Sequence, residues 1–351
     1  MGVDSSRFRR GVQFLVAYAR VRIRELPTYL ILVLTCAACM TPQRRTVIDP
    51  VSTGASLKRA RVESQAESID ASKLNAIEPV IRDAIADRKL PGAVVLIAQG
   101  ERTLYQSAIG QRSVVPSLEP MTLDTVFDLA SLTKVVATTT SVMILVEEGK
   151  IGLDDRVAAF IPGFEQYGKQ NITVRHLLTH MSGLRPDLDL AESWTGYDTA
   201  IALAIEEVPT STPGTRFIYS DINFLLLGDI VRRVSGMPLD RFAHDRIFAP
   251  LGMSATAFAP PSSWQPRIAP TDPRLARGIV HDPTARRMGG VSGHAGLFST
   301  ASDLATFCRM ILNGGSYRGT RILSPLAVAR MTSRATPLED PNTRGLGWDI
   351  E

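Results

Sequence analysis

Ser131-Leu132-Thr133-Lys134 sets a hydroxyl and an amine one helical turn apart, at the head of an apolar run. Val135, Val136, Ala137, Val142, Met143, Ile144, Leu145 and Val146 read as a mostly buried helix, and Gly149 can end it. Positions i and i+3 share a helix face, so Lys134 can reach Ser131. A serine hydroxyl is a weak nucleophile until a base takes its proton. A lysine can be that base if burial or a cationic neighbour lowers its pKa. Ser-x-x-Lys is thus an arrangement suited to an acyl-transfer nucleophile. The plainer reading is a helix N-cap serine followed by a solvated lysine. Lysines are few, at 58, 73, 89, 134, 150 and 169, and only Lys134 has a serine three residues before it.

Upstream, residues 70–89 place Leu74, Ile77, Val80, Ile81, Ala84 and Ile85 at helical spacing, and Pro91-Gly92 breaks the pattern. Residues 93–98 and 103–108 are strand-like with Gly100-Glu101 between them, which predicts a hairpin. Downstream, residues 150–273 read as short helices and loops, with one clear helix around Leu225–Val231. A Gly-rich stretch at 289–299 leads to a helix that Thr300 or Ser302 can cap, with Cys308 as a buried thiol in it. These elements predict an α+β fold, an antiparallel sheet flanked by helices with a mostly helical insertion over about 150–273. Residues 345–351 read as the beginning of a strand. Few strands precede it, so the chain is expected to stop in mid-fold.

The net charge of +4 is uneven. Residues 1–61 hold eleven Lys/Arg and three Asp/Glu, whereas the rest hold 28 and 32. The high pI therefore belongs to the leader and is no sign of a nucleic-acid partner. Arg20, Arg22 and Arg24 precede an apolar run from Tyr29 to Met40, too short for a spanning helix and suited to an export signal. Small residues before Cys39 resemble a lipoprotein cleavage site with Cys39 as the lipidated residue, although Cys36 stands where an aliphatic residue is usual. The expected organisation is a leader over 1–40, a linker over 41–69 and one domain over 70–351. The chain is expected in the periplasm or cell envelope, touching the membrane only through its leader or lipid.

Several stretches resemble the serine β-lactamase and penicillin-binding-protein superfamily, closest to class C-type β-lactamases, D-alanyl-D-alanine carboxypeptidases and related esterases. Residues 127–134, Phe-Asp-Leu-Ala-Ser-Leu-Thr-Lys, match its nucleophile motif. Residues 176–184, His-Leu-Leu-Thr-His-Met-Ser-Gly-Leu, match a family signature, and 213–221, Pro-Gly-Thr-Arg-Phe-Ile-Tyr-Ser-Asp, match the second catalytic motif. Pro250-Leu251-Gly252-Met253 and residues 296–300 add support. The resemblance implies a β-lactamase/transpeptidase-like fold and a hydrolase that forms an acyl-enzyme on Ser131. Lys134 would help remove the proton and Tyr219 would act as second base or shuttle. A tyrosinate–ammonium pair can pass a proton from serine to a leaving group. The implied substrates are β-lactams, peptidoglycan-like peptides or esters, with no cofactor and no metal. A carboxylesterase and a catalytically silent cell-envelope binding protein are the alternatives.

Two departures stand out. The family's Tyr-x-Asn is Tyr219-Ser220-Asp221 here. Asparagine can donate to a substrate carbonyl, whereas ionised aspartate only accepts. Aspartate also favours a protonated Lys134, a poorer base. Asp221 is therefore a candidate substrate contact that disfavours β-lactam hydrolysis. The family's third motif, Lys-Thr-Gly or a variant, has no lysine form here, since no lysine follows Lys169. His294-Ala295-Gly296 is a substitute in the wrong place, so His294 reads as a loop residue and a weak candidate for substrate contact. The third motif is expected beyond residue 351. Without that strand the oxyanion hole lacks a donor, worth about 10²–10³ in rate, so the 351-residue chain is expected to be poorly active. His176 and His180 have i, i+4 spacing but no intervening glutamate and no third ligand, and read as helix-to-loop packing rather than zinc ligands.

Overall fold

A computed structural model of the protein describes residues 30–34 and 71–350. Strand β1 (Leu30–Leu34) lies antiparallel to β2 (Gly92–Gln99), with Leu32 opposite Leu96. These five residues fall within the apolar run read as a leader; Cys39 lies outside the described residues. Helices α1 (Ala71–Leu74) and α2 (Ile77–Ala86) precede β2, and β3 (Arg102–Ser113) follows it across the expected Gly100-Glu101 turn. A short β4 (Glu119–Pro120) completes the order β1-β2-β3-β4.

Alternation along β2 explains its continuous burial. Ala93, Val95 and Ile97 pack with Ile81 and Ile109 on the side of α2, while Val94, Leu96 and Ala98 enter the main core on the other. Against that core lies a second small sheet in the order β5-β7-β6: β5 (Phe127–Asp128), β6 (Ala257–Phe258) and β7 (Leu297–Ser299).

The helix after Ser131 is not uniform. Residues Lys134–Thr139 wind as a π-helix and continue as α3 (Thr140–Glu147). The Thr140 hydroxyl donates to the Val135 carbonyl five residues back at 3.0 Å, and the Thr138 hydroxyl to the Gly293 carbonyl at 2.6 Å. Such wide turns recur at functional sites. Between α3 and β7 the chain is mostly helix and loop. It contains α4 (Val174–Leu178), α5 (Tyr197–Glu206), the long buried α6 (Asp221–Ser235), α7 (Leu239–Ala243), α8 (Ala249–Leu251) and α9 (Pro283–Arg287). Helix α10 (Ala301–Leu312) follows β7; Thr300 rather than Ser302 caps it, accepting from Asp303 N–H at 3.2 Å. Burial in α10 pushes the Cys308 thiol up to about 12, so it stays an inert thiol.

The chain end differs from the expected strand. Gly347 has φ +75°, and Gly345 N–H donates to the Trp348 carbonyl at 2.9 Å, closing a tight turn with only a bridge between Arg344 and Asp349. Leu346 and Trp348 are buried in the core, and Gly347 N–H bonds the Leu178 carbonyl at 2.8 Å. A side chain at Gly347 would begin 2.0 Å from the Thr139 hydroxyl, so the turn seats directly on the helix that carries Lys134.

Candidate active site

Ser131 sits at the elbow between β5 and the π-helix. Leu129 N–H bonds the Leu297 carbonyl at 2.8 Å, tying the approach to β7. Ala130 then takes φ +45°, an uncommon conformation for a residue with a Cβ, held by its N–H to Asp128 Oδ1 at 2.9 Å. Burial pushes the Asp128 carboxyl above its usual range despite the N–H groups of His281 and Ala130 that it accepts. The turn leaves Ser131 exposed and sends Lys134, 3% exposed, into the interior beneath it.

Lys134 Nζ donates to Ser131 Oγ at 2.9 Å and to the His294 carbonyl at 3.1 Å, and pairs as an ion with Asp221 Oδ1 at 2.6 Å. Burial alone would lower its pKa. The Asp221 carboxylate, together with Tyr219, outweighs that, and the net direction is upward. Lys134 is therefore an ammonium at neutral pH. Nζ lies 5.0 Å from the centre of the Tyr219 ring, which is 39% exposed. Spacing placed Tyr219 88 residues from Ser131; folding brings both onto one ammonium.

Tyr219 and Asp221 are delivered by the start of α6. Ser220 is the N-cap, with its N–H on His180 Nδ1 at 3.0 Å and its hydroxyl on the Arg185 carbonyl at 2.6 Å. Asp221 N–H bonds the Pro186 carbonyl at 2.7 Å. An acidic residue in the first turn also complements the helix dipole.

His294 takes two roles. Its carbonyl accepts from Lys134, while its buried ring contacts Asp282 Oδ1 through Nε2 at 2.9 Å and the Ser292 hydroxyl through Nδ1 at 2.8 Å. The side chain is thus turned inward rather than toward solvent. Asp282, which the sequence reading did not single out, is the N-cap of α9. Burial raises its pKa, but the His294 ring and the Ala285 N–H bring it down to about 2. Asp187, also not singled out, accepts from the Thr284 hydroxyl at 3.0 Å, and burial pushes its carboxyl up. Asp282-Pro283 is legible as a helix start; its contact with His294 is a tertiary event. Asp221, Asp282 and His294 bring potential ligand atoms within 4.8 Å of one another. The Lys134 ammonium already occupies the Asp221 oxygen, and a cation there would face that charge.

His176 and His180 do not converge. His176 Nδ1 accepts from Thr173 N–H at 3.2 Å, and His180 Nδ1 from Ser220. A surface cleft of about 570 Å³, lined by Tyr167, His176 and Ser211 among others, shares no residue with the Ser131–Lys134–Tyr219 group. An exposed hydroxyl on a buried ammonium is the stronger chemical signal, so the site is placed there.

The profile of the family described as Beta-lactamase matches residues 77–351. The chain belongs to the beta-lactamase family. A Salmonella schwarzengrund protein named as a D-alanyl-D-alanine carboxypeptidase is 33% identical, the match covering 80% of this chain and 73% of that protein. The octameric penicillin-binding protein homologue of Pyrococcus abyssi superposes with a TM-score of 0.65 at 27% identity, over 80% of this chain and 64% of that one. The chain thus spans a little under two thirds of that protein's length. EstCE1, a hydrolase with promiscuous acyltransferase activity, superposes with a TM-score of 0.66 at 24% identity, over 80% and 83%, and shows the shared fold. The fold of this beta-lactamase family member is the β-lactamase/penicillin-binding-protein type, as the motifs predicted, and its relatives point to a hydrolase.

Proposed function

We propose that the protein is an exported serine hydrolase that forms an acyl-enzyme on Ser131, with Lys134 and Tyr219 handling protons. The observation that carries this is the 2.9 Å contact from the buried Lys134 ammonium to the exposed Ser131 hydroxyl. In this reading Ser131 Oγ attacks a carbonyl carbon, and Lys134 stabilises the negative charge that Oγ acquires as its proton leaves. Tyr219, as phenolate, takes that proton and returns it to the departing nitrogen or oxygen, whose bond to the carbonyl breaks. Water then splits the ester, giving its proton to the same relay as the serine hydroxyl re-forms. Substrates are small acyl compounds or peptidoglycan-like peptides.

Asp221 favours a second reading on the same chemistry, a carboxylesterase. Its carboxylate cannot donate to a substrate amide carbonyl, and it neutralises the cation beside the nucleophile. Export belongs to the proposal through the basic, then apolar, leader, with Cys39 as the lipid acceptor; cleavage before Cys39 would take β1 out of the sheet and leave β2-β3-β4 in the mature protein. No helix among the described residues is long and apolar enough to cross a membrane.

Labelling with a fluorophosphonate and with fluorescent penicillin tests the proposal. Intact mass should show one adduct, lost in Ser131→Ala and mapped to the peptide containing Ser131. Equal labelling of Ser131→Ala overturns the assignment. Labelling by the fluorophosphonate but not by penicillin selects the esterase reading.

A further inference from the structure

His180 is the most closely involved residue that the proposed chemistry does not use. It follows the C-terminus of α4 with φ +59°, a conformation that asparagine or glycine adopts more readily. Three contacts then converge on one neighbour. The His180 carbonyl accepts from Ile218 N–H at 2.9 Å, and its Nδ1 accepts from Ser220 N–H at 3.0 Å. Between those two bonds the imidazole stacks on the Tyr219 ring, centroids 4.4 Å apart and planes 26° apart. Phe217 meets the same imidazole edge-on at 5.8 Å and Phe224 lies tilted at 5.1 Å.

We propose that His180 is a positioning residue for Tyr219, an uncharged clamp that fixes the phenol ring over Lys134. The inference rests on the acyl-enzyme reading for its effect on rate, not for its geometry. Two hydrogen bonds from backbone N–H groups, one to the His180 carbonyl and one to its ring, set residues 218–220, and the stacked ring sets the rotation of Tyr219 about its side-chain bonds. Neutrality follows from the hydrogen bond itself. Nδ1 accepts an N–H, so it carries no proton, and the ring proton sits on Nε2. That Nε2 is buried and has no hydrogen-bond partner among the described residues. Surroundings agree: burial first, then the Arg344 and Lys134 cations, hold the imidazole well below its ordinary pKa. The other faces of the ring carry Tyr219, Phe217 and Phe224. A charged imidazole would set two N–H groups against each other at Ser220 and would add a second cation beside Lys134.

Two substitutions separate the parts of the clamp. His180→Asn keeps an acceptor near the Nδ1 position and tolerates the backbone conformation, but removes the ring. His180→Phe keeps a ring and removes the acceptor. With p-nitrophenyl acetate, His180→Asn should lower the acylation rate between about 10- and 100-fold. KM should stay within about twofold, because the ring touches no substrate. The pH profile of acylation should keep its midpoints, since no proton is carried by His180. His180→Phe should retain more of the rate than His180→Asn. An unchanged rate in His180→Asn, or a displaced acidic limb, overturns the proposal.

Readouts without turnover keep the claim separate from the proposed function. In the unsubstituted protein, 15N spectra of the imidazole should show the neutral Nε2–H tautomer from pH 5 to 8. A protonated ring or the Nδ1–H tautomer in that range overturns the clamp whether or not any variant folds. Ring carbon and proton resonances of Tyr219 should move when the stacked imidazole is removed in His180→Asn, and unmoved resonances also overturn it. If Ser131 resists every acylating probe, the acyl-enzyme reading falls alone, and these spectra still decide on His180.

Discussion

Asp221 decides what kind of group Lys134 is. A lysine buried to this degree would by itself lose affinity for its proton. A carboxylate 2.6 Å away reverses that and keeps the ammonium. Asp221→Asn removes the negative charge but leaves an amide oxygen able to accept from Lys134. The Lys134 ammonium then acts without a neutralising partner on the charge that develops at Ser131 Oγ and on the proton relay, and the new amide N–H can donate to a substrate carbonyl. Turnover of nitrocefin should therefore increase by about tenfold, and the alkaline rise in kcat/KM should move to lower pH. No change, or a drop with an unmoved profile, would remove Asp221 from control of Lys134. The replacement of the family's asparagine was legible at residue scale, because motif and register are local in sequence. The Lys134–Asp221 contact was legible only as a tendency. Asp282 and Asp187 were not legible as neighbours of the site, since nothing near them in the chain points to His294.

At the scale of elements, the hairpin of β2 and β3 and the core of α6 could be read from periodicity, because alternating and helical burial leave distinct traces. The π-helix could not. Its cause is a pair of threonine hydroxyls bonding Val135 and Gly293 carbonyls, one of which comes from 155 residues away. Gly293 itself is the hinge of this arrangement. A Cβ there would begin 1.9 Å from the Phe224 carbonyl of α6, a backbone atom that cannot swing aside. Gly293 also neighbours the His294 carbonyl that binds Lys134. Gly293→Ala should therefore cost about 1–3 kcal/mol through overpacking. The melting temperature should fall by several degrees, and probe labelling of Ser131 should slow even in the folded fraction. An alanine variant with unchanged melting and labelling would mean that the loop before β7 can move away from α6.

Across the whole molecule, buried carboxyls act in opposite senses on acid stability. The folded Asp282 titrates at about 2 against an ordinary 3.8, so folding favours its ionised form. That contribution is complete above the unfolded value and disappears as pH falls from about 4 toward 2. It amounts to about 2 kcal/mol from a difference approaching two pKa units. Asp187 and Asp128 have raised carboxyls, so ionising them costs stability at neutral pH, and acid relieves that cost as they take up protons. His180 works with Asp282: held neutral in the fold, it disfavours the folded state once the unfolded imidazole protonates below about 6.5. The total acid response is a difference among these terms, so a single curve for the unsubstituted protein cannot assign any of them. Asp282→Asn isolates one. Its denaturant-derived stability should lie about 2 kcal/mol below the unsubstituted protein at pH 7, and the gap should close as pH approaches 2. A gap that stays constant through that window would show that Asp282 holds His294 and the cap of α9 through packing and neutral hydrogen bonds, with no stabilisation from its charge.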